Sequence, residues 1–76
     1  MTLSEADVRQ AIAKTVLNID AMTVSAQSDF DDIGIDSLDH SSILLELQER
    51  HGLNVPDADL AACRSIAGIL SYAASH

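Results

Sequence analysis

The chain has no tryptophan and only one tyrosine, one phenylalanine, one cysteine and one proline. With so few aromatics, a core must be built from Leu, Ile, Val and Ala, a set that suits packed helices better than strands. A lone Cys63 excludes an internal disulfide. No apolar run approaches the roughly 20 residues that span a bilayer, so no membrane segment is expected. The stretch Met1-Thr2-Leu3-Ser4-Glu5-Ala6-Asp7 is acidic and has neither the basic nor the apolar region of a signal peptide, and the expected location is the cytoplasm. Cations are scarce too: four Lys and Arg stand against twelve Asp and Glu, for a net charge of −8. That balance argues against nucleic acid as a partner, because phosphates need cations.

Apolar residues make up 47% of the chain, too many for a disordered polymer. Its 76 residues allow one domain, 1–76, with one core and a modest margin of stability. The charge is unevenly spread. Asp29, Asp31, Asp32, Asp36, Asp39, Glu46, Glu49, Asp57 and Asp59 fall within residues 29–59, where Arg50 is the only base. Elsewhere Glu5, Asp7 and Asp20 cancel Arg9, Lys14 and Arg64. The whole net charge therefore sits on the central segment, which would steer basic protein surfaces toward it. Five aspartates within 29–39 are expected to repel one another and to raise their own pKa values on folding.

Helical signals recur along the chain. Ser4 can cap a helix with Asp7 at the capping-box position, and Val8, Ile12, Val16 and Ile19 then repeat at helical spacing to about residue 18 or 19. Residues 20–35 read as a long loop pinned by Val24, Phe30, Ile33 and Ile35; loops of this length are often functional. Asp36 is a candidate N-cap for a second helix. Its inward stripe is Ile43, Leu44 and Leu47, continued by His51, and Gly52 ends it. Leu38 and Leu45 then fall on the outward side. Pro56 and Asp57 open a short helical turn to about Ala62, and Ser65 can cap a last helix with Ile66, Ile69, Leu70 and Ala73 on its apolar face. The expected fold is all-α: an irregular four-helix bundle of three main helices and one short one, with a long loop between helices one and two.

The informative stretch is Asp32-Ile33-Gly34-Ile35-Asp36-Ser37-Leu38-Asp39. If Asp36 caps the helix, Ser37 is its first residue, with an outward hydroxyl beside free backbone N–H groups. Those groups and the helix dipole favour a phosphate there. Taken alone, an Asp-Ser-Leu reads more readily as a second capping residue than as a modification site. Other chemistries fit less well. A calcium loop from Asp29 would put Asp31 third and Gly34 sixth, as required, but Ile33 takes the fifth position and His40 the twelfth, where oxygen ligands belong. His40, His51 and Cys63 lack zinc-ligand spacing, so no metal is expected. Ser37 and His40 lack an oxyanion loop and a cleft, which argues against a hydrolase. His40 is expected at the surface, His51 at a helix end, and Cys63 half-buried.

Over almost its full length the chain resembles the acyl carrier protein family. The resemblance is carried by Asp32, Gly34, Asp36, Ser37, Leu38 and Asp39, by Leu44, Leu47 and Glu49, and by Gly52, Val55, Pro56 and Asp57 in the family's Gly-x-x-[Ile/Val]-Pro-Asp pattern. It implies a non-enzymatic carrier. Ser37, flanked by Asp36 and Leu38, would receive 4'-phosphopantetheine from coenzyme A through a phosphodiester, and the arm's thiol would hold acyl groups as thioesters. The implied partners are a phosphopantetheinyl transferase and acyl-loading and acyl-processing enzymes with basic docking patches. Asp36, Leu38, Asp39, Leu45, Glu46 and Glu49 are the expected docking residues, on a monomer. Ser41, Ser42, Arg50 and His51 depart from the pattern of fatty-acid-synthesis carriers, which points to a specialised, free-standing member. An aminoacyl or peptidyl carrier is the alternative cargo class, and a small acidic adaptor without a prosthetic group is the alternative function.

Overall fold

The computed structural model describes residues 3–75. Helix α1 spans Glu5–Thr15. Ser4 caps it in a full capping box: the Asp7 amide donates to Ser4 Oγ at 3.1 Å and the Ser4 amide to Asp7 Oδ2 at 3.0 Å. Helix α2 spans Ser37–His51 and α3 spans Ile66–Ser75. A short 3-10 helix covers Asp57–Cys63. The all-α bundle of three main helices and one short one is as expected, with no strand among the described residues.

α1 packs against both α2 and α3, and α3 also packs on the short helix. Between them lie the fully buried side chains of Val8, Ile12, Phe30, Ile43, Leu47, Cys63, Ile66 and Ile69. Gly52 ends α2 at φ 73, a left-handed conformation that costs most L residues energy and glycine almost none. Gly68 serves contact instead. A Cβ there would come within 2.5 Å of the Ala62 carbonyl oxygen, so the missing side chain lets α3 lie close on the short helix.

Several expectations need correction. α1 stops at Thr15, three residues or more before the apolar repeat does. Val16 is extended (φ −123, ψ 100) yet buried, and Ile19 is partly buried. The chain keeps burying apolar residues after leaving the helix, so burial period and helix length part company. The loop is not wholly irregular either, for Phe30–Ile33 forms a single 3-10 turn capped by Asp29. In α3, Tyr72 joins the core at 8% exposure while Leu70 is only half-buried. Cys63 is fully buried, not half-buried.

The long loop is held by one residue whose role the sequence did not signal. Arg9 Nη1 donates to the carbonyls of Ala21 and Val24, each at 2.7 Å, while its Nε donates to Glu5 at 2.9 Å. Its side chain is only 12% exposed. A guanidinium can do this because its donors are rigidly splayed and satisfy two turns of loop backbone at once. Further on, the Ala67 amide donates to the Ala26 carbonyl at 2.9 Å, which ties the loop to the start of α3.

Candidate functional site

The site is built where the loop meets α2. Asp36 takes an extended conformation (φ −79, ψ 179), and its Oδ1 accepts from the Asp39 amide at 2.8 Å. Its own carbonyl accepts from the His40 amide at 2.9 Å, the first bond of the helical ladder. Asp36 therefore does the capping and releases Ser37 from that duty. Ser37 is the first residue of α2 and is exposed. The amides of Ser37 and Leu38 belong to the group that a helix start leaves without intrahelical acceptors.

Beside Ser37 lies a cleft of about 320 Å³. Phe30, Ile35 and His40 line it on the core side, and Asp31, Asp36 and Arg64 line it with charge. His40 is not at the surface, as its sequence position suggested, but 9% exposed. Its ring meets Phe30 edge-on, with centroids 5.5 Å apart, and its Nε2 lies 2.7 Å from the Cys63 carbonyl oxygen. A carbonyl only accepts, so Nε2 carries the proton. The reason for burial is the helix itself: His40 lies three residues before the buried Ile43, on the same face.

Arg64 changes the electrostatics of the loop. It lies outside the acidic segment in sequence, yet its Nε and Nη2 both contact the Asp29 carboxylate at 3.2 Å. Those hydrogen bonds, helped by the Asp31 amide, hold the Asp29 carboxyl below the usual aspartate range. The expectation of a repulsion-raised pKa therefore fails at Asp29, because tertiary contact supplies a cation that the local sequence lacks.

The expected docking residues divide. Leu38 is 73% and Leu45 54% exposed, both on the outer side of α2. Asp36 and Glu49 are exposed and Asp39 is half-exposed. A smaller groove of about 160 Å³ runs beside Leu45, walled by Leu44, Val55 and Leu60. Glu46 differs from the others. It is 18% exposed and is paired with Arg50 at 2.7 Å and Lys14 at 3.5 Å, so its charge is already answered at the α1 side of α2.

Comparison with known proteins agrees with this geometry. Residues 7–73 match the family model described as a phosphopantetheine attachment site. The chain belongs to the acyl carrier protein family. It is 31% identical over 64 residues to an acyl carrier protein of Helicobacter pylori, covering 83% of this chain and 82% of that one. It is 36% identical over 62 residues to an acyl carrier protein of Rhodococcus erythropolis, covering 80% and 68%. A meromycolate extension acyl carrier protein of Mycolicibacterium aurum is 32% identical over 62 residues, covering 80% and 64%.

As an acyl carrier protein the chain is a carrier and not a catalyst. Its prosthetic group is covalently bound 4'-phosphopantetheine, and it works with a phosphopantetheinyl transferase and biosynthetic enzymes. An acyl carrier is favoured over the aminoacyl or peptidyl alternative. The composition of the cleft fits a phosphodiester: Ser37 is exposed, the first amides of α2 lack intrahelical acceptors, and Arg64 brings one guanidinium. No helix of the described residues is long and apolar enough to cross a membrane.

Proposed function

We propose that Ser37 is the attachment residue and that the outer face of α2 is where partner enzymes read the carrier. The observation that supports the first part most is the division of labour at the start of α2. Asp36 occupies the cap through the Asp39 amide, Ser37 is exposed, and its hydroxyl makes no hydrogen bond among the described residues. The arm, once attached, supplies a terminal thiol that holds the acyl group as a thioester. Everything else is presentation. Ser37 fixes the arm's root, and Asp36 and Leu38 flank it.

Leu38 and Leu45 supply exposed apolar contact, and Asp36, Asp39 and Glu49 supply a charged rim for basic partner patches. Glu46 does not take part, because Arg50 and Lys14 neutralise it. In this reading residues 1–76 form one carrier domain that acts as a monomer in the cytoplasm. The polar Ser41 and Ser42 on α2 fit a specialised pathway.

The test is intact mass after incubation with coenzyme A and a broad-specificity phosphopantetheinyl transferase. Wild-type protein gains the mass of one arm, and Ser37→Ala gains none while keeping its helix content. An arm on another serine of the Ser37→Ala variant would sink the assignment.

A further inference from the structure

We propose that Arg64 holds the phosphodiester of the arm and so fixes the direction in which the arm leaves Ser37. The inference rests on Ser37 as the attachment residue and concerns a residue well outside the motif.

Charge makes the case first. A phosphodiester on Ser37 adds a negative charge to a cleft already lined by Asp31 and Asp36. The start of α2 offsets only about half a charge. Arg64 is the one Lys or Arg that lines this cleft. The other three are committed elsewhere: Arg9 to Glu5 and the loop carbonyls, Lys14 and Arg50 to Glu46.

Arg64 also has capacity to spare. Its Nε and Nη2 serve Asp29, but Nη1 makes no hydrogen bond among the described residues. A guanidinium has five N–H donors in a fixed plane, so one edge can stay on a carboxylate while another meets a phosphate. The side chain is 45% exposed, so that edge is reachable.

Finally, the residue is held in place before any ligand arrives. Its carbonyl accepts from the Phe30 amide at 2.8 Å, and the preceding carbonyl, of Cys63, accepts from His40 at 2.7 Å. Both bonds tie Arg64 to the elements that frame Ser37, which lowers the ordering cost of a contact between them.

The experiment compares apo and holo forms of wild type, Arg64→Gln, Arg64→Lys and Asp29→Asn, with arm attachment at Ser37 verified by mass. The first readout is the ratio of unfolding constants, apo over holo, from urea melts at low salt. The second is the 31P chemical shift of the phosphodiester. Wild type should give a ratio of roughly two to five, the size of an exposed charge-assisted contact. Arg64→Gln should bring it to one or below and move the 31P resonance.

Asp29→Asn loses the same ion pair yet should keep or raise the ratio, because its guanidinium is no longer shared. Equal loss in Arg64→Gln and Asp29→Asn would overturn the proposal by reducing Arg64 to a structural clasp. An unchanged ratio and resonance in Arg64→Gln would overturn it too. If Arg64→Gln does not fold, Arg64→Lys decides: a reduced ratio with a shifted resonance supports the contact, and wild-type values refute it. Wild type without an arm on Ser37 would overturn the attachment reading and this proposal together.

Discussion

His40 reaches across the bundle to Cys63, placing Nε2 2.7 Å from the carbonyl that closes the short 3-10 helix. The bond joins the first turn of α2 to the chain just before α3. Replacing His40 by Ala would leave that buried carbonyl without its donor and leave Phe30 without its edge-on neighbour. We expect a loss of about 1–3 kcal/mol in urea unfolding, the desolvation penalty of one orphaned buried group. A loss below about 0.5 kcal/mol would mean that water replaces the imidazole without cost.

Acid stability should depend on Asp29. Its pKa is held low by the hydrogen bonds from Arg64 and then by the Asp31 amide. A depressed carboxylate contributes stability above its unfolded pKa and loses it as pH falls through the folded value. The affected window is therefore below about pH 4. Thermal melts from pH 6 to pH 2 should fall more steeply for wild type than for Asp29→Asn in that window. Parallel curves would show that the Arg64 contact persists only in part of the population. Asp7, lowered by the Ser4 backbone and hydroxyl, adds to the same limb.

The alkaline limb should depend on Tyr72, whose hydroxyl donates to Asp59 Oδ2 at 2.6 Å. The hydrogen bond to that carboxylate, with burial and its charge, pushes the phenol up to about 12. A raised folded pKa means stability fully present below the unfolded value near 10 and lost as pH rises through about 12. Tyr72→Phe should start less stable at pH 8 and flatten the decline between about pH 10 and 12. Absorbance of the phenolate during the titration checks the assignment directly. An ordinary phenol midpoint in the folded protein would contradict it.

Partner association should follow the division among the acids of α2. Charge reversal at Asp39 or Glu49 should slow association with a basic partner roughly threefold or more at low salt, with the difference shrinking as salt screens the rim. Glu46→Lys should instead act on the fold, because it sets a third cation beside Lys14 and Arg50. Stopped-flow association of the purified phosphopantetheinyl transferase, paired with urea melts of each variant, separates the two effects. A Glu46→Lys variant that slows association while keeping wild-type stability would place Glu46 on the docking face.

Much of this protein was determined by its sequence alone, and the reason is locality. Caps at Ser4, Asp36 and Ser65, the stop at Gly52 and the turn at Pro56 act through hydrogen bonds and dihedral preferences within a few residues. The helix start at Ser37 was legible for the same reason, since a helix start and its cap are contiguous, whereas the reading of Ser37 as an attachment residue came from the family resemblance. Tertiary structure alone decided where α1 ends, because Val16 and Ile19 stay apolar whether helical or extended. It alone buried His40 against Phe30 and Cys63, and fixed the loop through Arg9 at Ala21 and Val24. It brought Arg64 to Asp29 across 35 residues of chain. Charge has no periodicity that marks its partner, so a count along the sequence put Arg64 with Glu5, Asp7 and Asp20. In the folded molecule it lines the same cleft as Ser37, with Nε and Nη2 on Asp29.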